Sequence, residues 1–352
     1  MQRKAAITAV EYHLPKASLT NSDLEALQSN WRCEDILAKT GVACRHIAAA
    51  DETASDLAYE AAKKLLASGA VQAGEIDLLI LCTQTPDYAL PTSACLLQDR
   101  LGLPRTCAAF DVNLGCSGFV YGLSIAKGFL ESGLAGKALL LTGDTYSKWL
   151  APDDMSVRTV FGDGAAATLV ELKDSPDGRE YLGPFVFGTD GSGWYRLAVH
   201  GSGARPFRPE DRALLPEGRQ PGKLYMDGPN IFTFTIKEVP AAYEALMAKA
   251  GKSTADLDLV VFHQANTFML DHLRKRIRIP VEKFALVLKE FGNTVSSSIP
   301  IALVESAKAG KLWDGATVAL VGFGVGYSWC ANLMIWTGSG SRSARSGGRH
   351  SS

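Results

Sequence analysis

Cys116 stands in the run Asp111-Val112-Asn113-Leu114-Gly115-Cys116-Ser117-Gly118-Phe119, after a short apolar stretch and before the helical run Val120 to Ser132. A cysteine on a glycine-flanked turn at a helix N-terminus sees the positive end of the helix dipole, which favours the thiolate and lowers the thiol pKa. That is how a cysteine becomes a nucleophile, although glycines also surround a cysteine where the backbone is merely crowded. His263 follows the apolar run Leu257 to Phe262, in Phe262-His263-Gln264-Ala265-Asn266. It therefore lies at the carboxyl end of a strand, where open α/β sheets place their sites; a hydrogen-bonded structural histidine fits the same place. Asn293, in Phe291-Gly292-Asn293-Thr294-Val295-Ser296-Ser297-Ser298, is a neutral donor in a small-residue turn, and by itself reads as a helix cap.

The elements that must position these residues alternate short apolar runs with longer stretches of helical period, the pattern of an α/β protein. Strands are expected at Ile76 to Thr83, Cys107 to Val112, Lys137 to Leu141, Ala165 to Leu172, Leu257 to Phe262, Phe284 to Leu288, Thr317 to Val321 and Asn332 to Thr337. Their near-continuous hydrophobicity suits strands buried on both faces. Helices are expected at Ala54 to Ser68, Gly118 to Ser132, Pro229 to Ala250, Thr267 to Arg276 and Ile299 to Ala309. The two halves echo one another. A helix ending at Gly69 leads through a polar link to Ile76-Asp77-Leu78-Leu79-Ile80-Leu81, and one ending at Gly251 leads to Leu257-Asp258-Leu259-Val260-Val261-Phe262. Later, Gly136-Lys137-Ala138-Leu139-Leu140-Leu141 is echoed by Gly315-Ala316-Thr317-Val318-Ala319-Leu320. Two echoes in the same order point to a duplicated α/β unit. Expected boundaries are 1–175 for the half with the cysteine, 176–337 for the half with histidine and asparagine, and 338–352 for a disordered Gly/Ser/Arg tail. Gly201 to Gly222, rich in Gly, Pro and Arg, reads as a long surface loop of the kind that covers sites.

Composition narrows the function classes. At roughly 150 residues per domain, 352 residues make about two domain-sized units. With 36 basic and 37 acidic residues the net charge is −1, which removes a broad electrostatic case for nucleic acid or an anionic membrane. One dense basic cluster remains at Leu273-Arg274-Lys275-Arg276-Ile277-Arg278. The seven cysteines form no Cys-x-x-Cys pair and have no histidines at ligand spacing, so neither a disulfide framework nor a metal site is expected. Glu11, His13 and Pro15 interrupt any leader-like apolar run, and no segment reaches the ~18 apolar residues of a spanning helix. A cytoplasmic protein is expected.

The motifs together resemble those of the ketoacyl synthase III branch of the thiolase superfamily, the condensing enzymes that prime fatty-acid and some polyketide chains. The landmarks are Lys39-Thr40-Gly41, Asp111 through Gly118, Phe161-Gly162-Asp163-Gly164-Ala165-Ala166, His263-Gln264-Ala265-Asn266, Gly292-Asn293-Thr294 and Gly322-Phe323-Gly324-Val325-Gly326. The resemblance implies a thiolase-like, duplicated αβαβα five-layered sandwich and a homodimer. It implies that Cys116 takes the acyl group from a thioester, with the backbone amides of Cys116 and Gly326 as oxyanion hole. His263 and Asn293 would then stabilise the enolate left when a malonyl thioester loses CO2, as neutral donors that do not protonate the carbon nucleophile. Leu90, Phe232 and Gly324 would shape the substrate pocket, Leu90 in the partner subunit's pocket. Lys39, Arg274, Lys275 and Arg276 would dock the carrier, an acidic acyl carrier protein or coenzyme A, with no other cofactor.

The chain departs from the family's pattern at three places, one of them Leu90, where the family often has phenylalanine. Members primed by a coenzyme A thioester usually carry a tryptophan and an arginine that sandwich the adenine, where this chain has Asp35 and Lys39, and a second arginine where it has Met155. An aspartate cannot stack on a purine. Two competing readings stand beside the condensing enzyme: an acyltransferase that passes the acyl-cysteine to an oxygen or nitrogen acceptor, and a non-catalytic subunit that binds a carrier protein. Retention of both His263 and Asn293 favours condensation, since simple transfer has little use for an enolate-stabilising asparagine.

Overall fold

The computed structural model describes residues 2–28 and 30–338, so all but the first residue of the expected C-terminal tail lies outside the described residues. Two sheets form the frame. The first draws its strands from Gln2–His13, Gly164–Ser175, Lys137–Asp144, Leu78–Cys82 and Ala108–Val112, side by side in that order. The second runs Leu259–Phe262, Thr317–Gly324, Ser328–Ile335 and Leu182–Thr189. In each, a parallel pair that begins the crossover units (Leu78–Cys82 with Lys137–Asp144; Leu259–Phe262 with Thr317–Gly324) is followed by an antiparallel neighbour. That correspondence is the internal duplication.

Helices fill three layers around the sheets, giving the thiolase-like five-layered sandwich. Gly118–Glu131 and Ser298–Lys308 lie between the sheets, where Phe119, Leu123, Ile299 and Leu303 share one core with Ile80 and Leu140 of the first sheet and Val318 and Leu320 of the second. A helix clamped on two faces must be apolar nearly all round, as these are. Close approach fixes Gly122: a Cβ there would stand 2.6 Å from Leu140 Cδ1. Ala54–Ala67 and Ser93–Arg100 cover the outer face of the first sheet, and Gly228–Ala250 with Thr267–Ile277 covers that of the second. The former opens on a capping box, Thr53 with Asp56, worth about 1 kcal/mol.

Phe284 to Leu288, expected as a strand, is not one. It occupies the place that Ala108–Val112 holds in the first sheet, but only Phe284 bridges to the sheet, at Val260. The Gln264 side chain takes up the remaining backbone groups, donating from Nε2 to the carbonyls of Phe262 and Ala285 and accepting at Oε1 from Val287 N. A side-chain amide thus replaces a ladder. Elements that the apolar pattern did not disclose include Gln2–His13, Leu182–Thr189, Asn21–Leu27, Cys33–Thr40 and Ser93–Arg100. Pro184 in Leu182–Thr189 reads as a breaker, and the structure tolerates it because this is an edge strand.

Candidate active site

The turn bearing Cys116 is built by crowding as well as by helix entry. A Cβ at Gly115 would stand 2.2 Å from Gln84 Oε1, and one at Gly118 would stand 2.1 Å from Cys82 Sγ. The glycines are therefore required by close packing. Asp111, at the end of its strand, accepts from the amides of Ser93 and Ala94 at 2.8 Å and so caps the helix Ser93–Arg100. The cysteine itself is 5% exposed.

The thiol does not behave as helix entry alone would have it. Burial pushes Cys116 up to about 12, the amides of Val325 and of Cys116 itself pull it down, and the Asp144 carboxylate adds to the rise. Desolvation outweighs the helix terminus, because a thiolate loses more hydration in this turn than the fixed dipoles return. The resting nucleophile is a thiol. The second amide facing the sulfur belongs to Val325, one residue before the Gly326 expected from the sequence. Gly324 lies directly beneath: a Cβ there would stand 2.9 Å from Cys116 Sγ and 2.8 Å from its Cβ. Gly324→Ala must displace the Cys116 side chain, and the expected result is at least a tenfold fall in the rate of Cys116 acylation together with a lower unfolding temperature, read by mass spectrometry and calorimetry.

His263 leaves its strand with its amide bonded to the Val321 carbonyl at 2.8 Å, and its ring stands edge-on to Phe323. Ser298 Oγ accepts from Gln264 N at 3.3 Å and lies 2.7 Å from His263 Nδ1. In the tautomer where the hydroxyl donates to Nδ1, the imidazole proton stands on Nε2. Burial drives the ring down to about 3, with the Val295 carbonyl opposing, so His263 is neutral at physiological pH.

Asn293 is fixed from both sides. Its amide N–H donates to Val160 O at 2.9 Å, its carbonyl accepts from Gly162 N at 3.0 Å, and its Oδ1 accepts from Val295 N at 2.9 Å. That last bond turns Nδ2 towards His263 Nε2, 3.4 Å away. With the imidazole proton on Nε2, the two N–H groups stand side by side and can converge on one oxygen anion. The structure thus unites His263 and Asn293. The Asn293 turn also occupies, in the second half, the place that the Cys116 turn occupies in the first: each precedes the helix buried between the sheets.

A cavity of about 800 Å³ opens beside this centre, walled by Arg32, Asp35, Lys39, Met155, Arg219 and Lys223 among others. Its wall includes Val160, whose carbonyl accepts from Asn293 N, while Cys116, His263 and Asn293 are not among its lining residues. The loop Gly201 to Gly222 contributes Glu217, Gly218 and Arg219 to the wall, and Arg219 is paired with the buried Asp154. The other expected site residues are scattered. Leu90 is 82% exposed on this single chain. Phe232 packs against Phe268 and His272 on the outer helices. Within the basic cluster Arg274 is not a free cation, since its guanidinium is bound to Asp271 and to the Ile279 carbonyl. Lys275 pairs with Asp271 at 2.6 Å but keeps most of its side chain in solvent, and Arg276 is exposed. Val325 and Ser298 were missed in the sequence; the glycine-rich and serine-rich turns marked the segments, not the residues.

Such a cysteine turn, a neutral histidine–asparagine pair and a duplicated five-layered fold define a thiolase-like condensing enzyme. Two family profiles match the chain, "3-Oxoacyl-[acyl-carrier-protein (ACP)] synthase III" at residues 110–191 and its C-terminal counterpart at 247–336. The chain is 38% identical over 339 residues to the beta-ketoacyl-[acyl-carrier-protein] synthase III of Syntrophomonas wolfei, covering 95% of this chain and 98% of that one. Among solved structures, a 3-oxoacyl-(acyl-carrier-protein) synthase III is 52% identical with a TM-score of 0.91, covering 95% and 100%. The priming β-ketosynthase of the R1128 polyketide pathway is 28% identical with a TM-score of 0.84, covering 95% and 97%. The chain belongs to the 3-oxoacyl-[acyl-carrier-protein] synthase III family, and it is an acyl-transferring condensing enzyme. Among the described residues no helix is long and apolar enough to cross a membrane.

Proposed function

We propose that Cys116 accepts an acyl group from a thioester and that the acyl-cysteine is then attacked by the enolate of a decarboxylated malonyl thioester. The observation that carries this reading is the paired donors of His263 and Asn293 at 3.4 Å, a niche for an enolate oxygen. In the first step the Cys116 sulfur adds to the thioester carbonyl, its proton leaves with the departing thiol, and the amides of Val325 and Cys116 receive the oxyanion. In the second, the carboxylate of the malonyl group leaves as CO2, and its electron pair passes into the enolate held by His263 Nε2–H and Asn293 Nδ2–H. The enolate carbon bonds to the acyl carbon, the Cys116–acyl bond breaks, and the departing sulfur takes up one proton from solvent to regenerate the thiol. A neutral imidazole suits this step because it stabilises the oxygen without quenching the carbanion.

The cavity beside Val160 takes the phosphopantetheine arm that coenzyme A and acyl carrier protein share. Around its mouth, acidic Asp35, Asp153, Asp154 and Glu217 balance basic Arg32, Lys39, Arg219 and Lys223. A wall so balanced, with Asp35 and Met155 in it, is poorly matched to the several phosphates and the purine of coenzyme A. It favours a carrier-linked donor and a specialised acyl or polyketide pathway. The enzyme works in the cytoplasm as a homodimer: Ala108–Val112 is an edge strand, and Tyr88 and Leu90 are apolar side chains left in solvent that a second subunit would cover.

Lys275, largely in solvent though paired with Asp271, and exposed Arg276 form the docking face for the acidic carrier. Lys275→Glu with Arg276→Glu is expected to raise KM for a carrier-linked substrate tenfold or more while shifting KM for the coenzyme A thioester less than twofold, in initial-rate assays. Equal shifts would remove the docking assignment. The function as a whole is tested by intact mass after incubation with acyl-coenzyme A and acyl-carrier thioesters, with and without malonyl donor. A mass gain on Cys116 that disappears with malonyl donor, with CO2 and a ketoacyl product, is the expected outcome. Discharge by an alcohol or amine instead would make the chain a simple acyltransferase, and absence of loading would make it a silent subunit.

A further inference from the structure

Asp144 ends the strand Lys137–Asp144, wholly buried, beneath the two turns that carry the reacting groups. Its three hydrogen bonds come from neutral donors: Gln84 N to Oδ1 at 2.8 Å, Ser296 N to Oδ2 at 3.3 Å and Ser296 Oγ to Oδ2 at 2.5 Å. Each partner belongs to a different side of the site. Gln84 underlies the cysteine turn, since its Oε1, held by Tyr146, fills the space where a Gly115 side chain would be. Ser296 follows Asn293 in the same turn, next to Val295, whose amide holds the Asn293 side chain in place. Asp144 is therefore bonded to the Asn293 turn directly, through Ser296, and reaches the Cys116 turn through Gln84, whose side chain packs against Gly115. Three converging donors suit a carboxylate, which only accepts; a carboxylic acid would have to aim its own proton at one of them.

We propose that Asp144 is a positioning residue for carbon–carbon bond formation: in its ionised form it ties the Asn293 turn to the Cys116 turn, so that the His263–Asn293 pair faces the acyl-cysteine. The inference rests on the condensation reading given above. Asp144 itself makes and breaks no covalent bond. Burial raises its pKa to about 7, against the lowering bonds of Ser296 and Gln84, and the nearby Asp163 carboxylate adds to the rise. As pH falls through that value the group gains a proton and the tie loses its charge. The other titratable groups that face it are Cys82, Cys116, Tyr146 and Asp163; burial lifts the first three well above neutrality, which leaves Asp163 as the one to control for.

The proposal separates the two half-reactions with opposite signs. The Asp144 charge raises the Cys116 pKa, so Asp144→Asn should leave acylation unchanged or make it faster, while slowing condensation. Pre-acylated wild-type enzyme, Asp144→Asn, Ser296→Ala and Asp163→Asn are mixed with malonyl thioester, and product is read in single turnovers from pH 5.5 to 8.5, a range of roughly three units around neutrality. Expected are a tenfold or greater fall for Asp144→Asn with malonyl KM within twofold, a smaller fall in the same step for Ser296→Ala, and a wild-type acid limb near pH 7 that Asp163→Asn retains and Asp144→Asn lacks. Asp144→Asn that condenses like wild type with the limb intact, or that loses acylation and condensation equally, overturns the proposal. Should Asp144→Asn fail to fold, Ser296→Ala decides by the same split. Acylated wild type that forms no ketoacyl product at any pH would instead overturn the condensation reading itself.

Discussion

Cys116→Ala is expected to abolish acylation: no mass gain from any acyl thioester, and a turnover at least 10⁴-fold below wild type. The variant should fold normally, because alanine removes only one sulfur from a site that is 5% exposed and packs on the backbone of Gly324. Its companion measurement is the pH dependence of alkylation of the native thiol. The sulfur lies in a pocket where burial holds its pKa near 12 despite the amides of Val325 and Cys116. Since the folded-state pKa is raised, the thiolate fraction, and with it the rate of reaction with a small alkylating agent, should climb steadily across pH 7 to 10 without a plateau. A plateau below pH 8 would mean that the helix terminus outweighs desolvation and that Cys116 rests as a thiolate. The substrate meets a thiol, and binding the thioester carbonyl against the two amides is what makes loss of the proton favourable.

Helix and strand positions were legible where period and apolarity were strong. The five helices expected from the sequence are present within about two residues at each end, in keeping with the fraying of helix ends. Pattern alone left Cys116, His263 and Asn293 each with an ordinary structural reading, and it was their resemblance to the ketoacyl synthase III motifs that joined them into a set. The failures have physical causes. Phe284 to Leu288 has the composition of a strand, but the hydrogen bonds of a strand were given to Gln264, which no periodicity records. The thiol pKa was misjudged because a dipole can be read from a sequence and burial on all sides cannot. Gly326 was carried over from the family's glycine-rich turn, and only three-dimensional placement says that the amide of Val325 meets the sulfur. Asp144 left no trace at all: it closes an apolar strand, and its importance comes from Gln84 and Ser296, residues that are distant in the chain.

Asn293→Ala and His263→Ala are expected to leave Cys116 acylation within a few-fold of wild type and to cut condensation about 10²–10³-fold, the usual loss for one oxyanion donor. The split follows from geometry: the acyl oxyanion is served by backbone amides at Cys116 and Val325, whereas both side chains face the extender. Alanine at Asn293 has a second effect that needs separating. It leaves the Val295 amide without the Oδ1 acceptor, at a cost of about 1–3 kcal/mol, which could slacken the turn. Asn293→Asp retains that acceptor and replaces only the donor. If donation to the enolate is the function of Asn293, both variants fail in the same step, and the aspartate variant fails while unfolding near the wild-type temperature. Full product from Asn293→Asp would show that the turn, and not the donor, is what condensation requires. His263 carries the matching test in pH: a ring held near pKa 3 contributes no acid limb to condensation above pH 5, so any limb near neutrality belongs to another group.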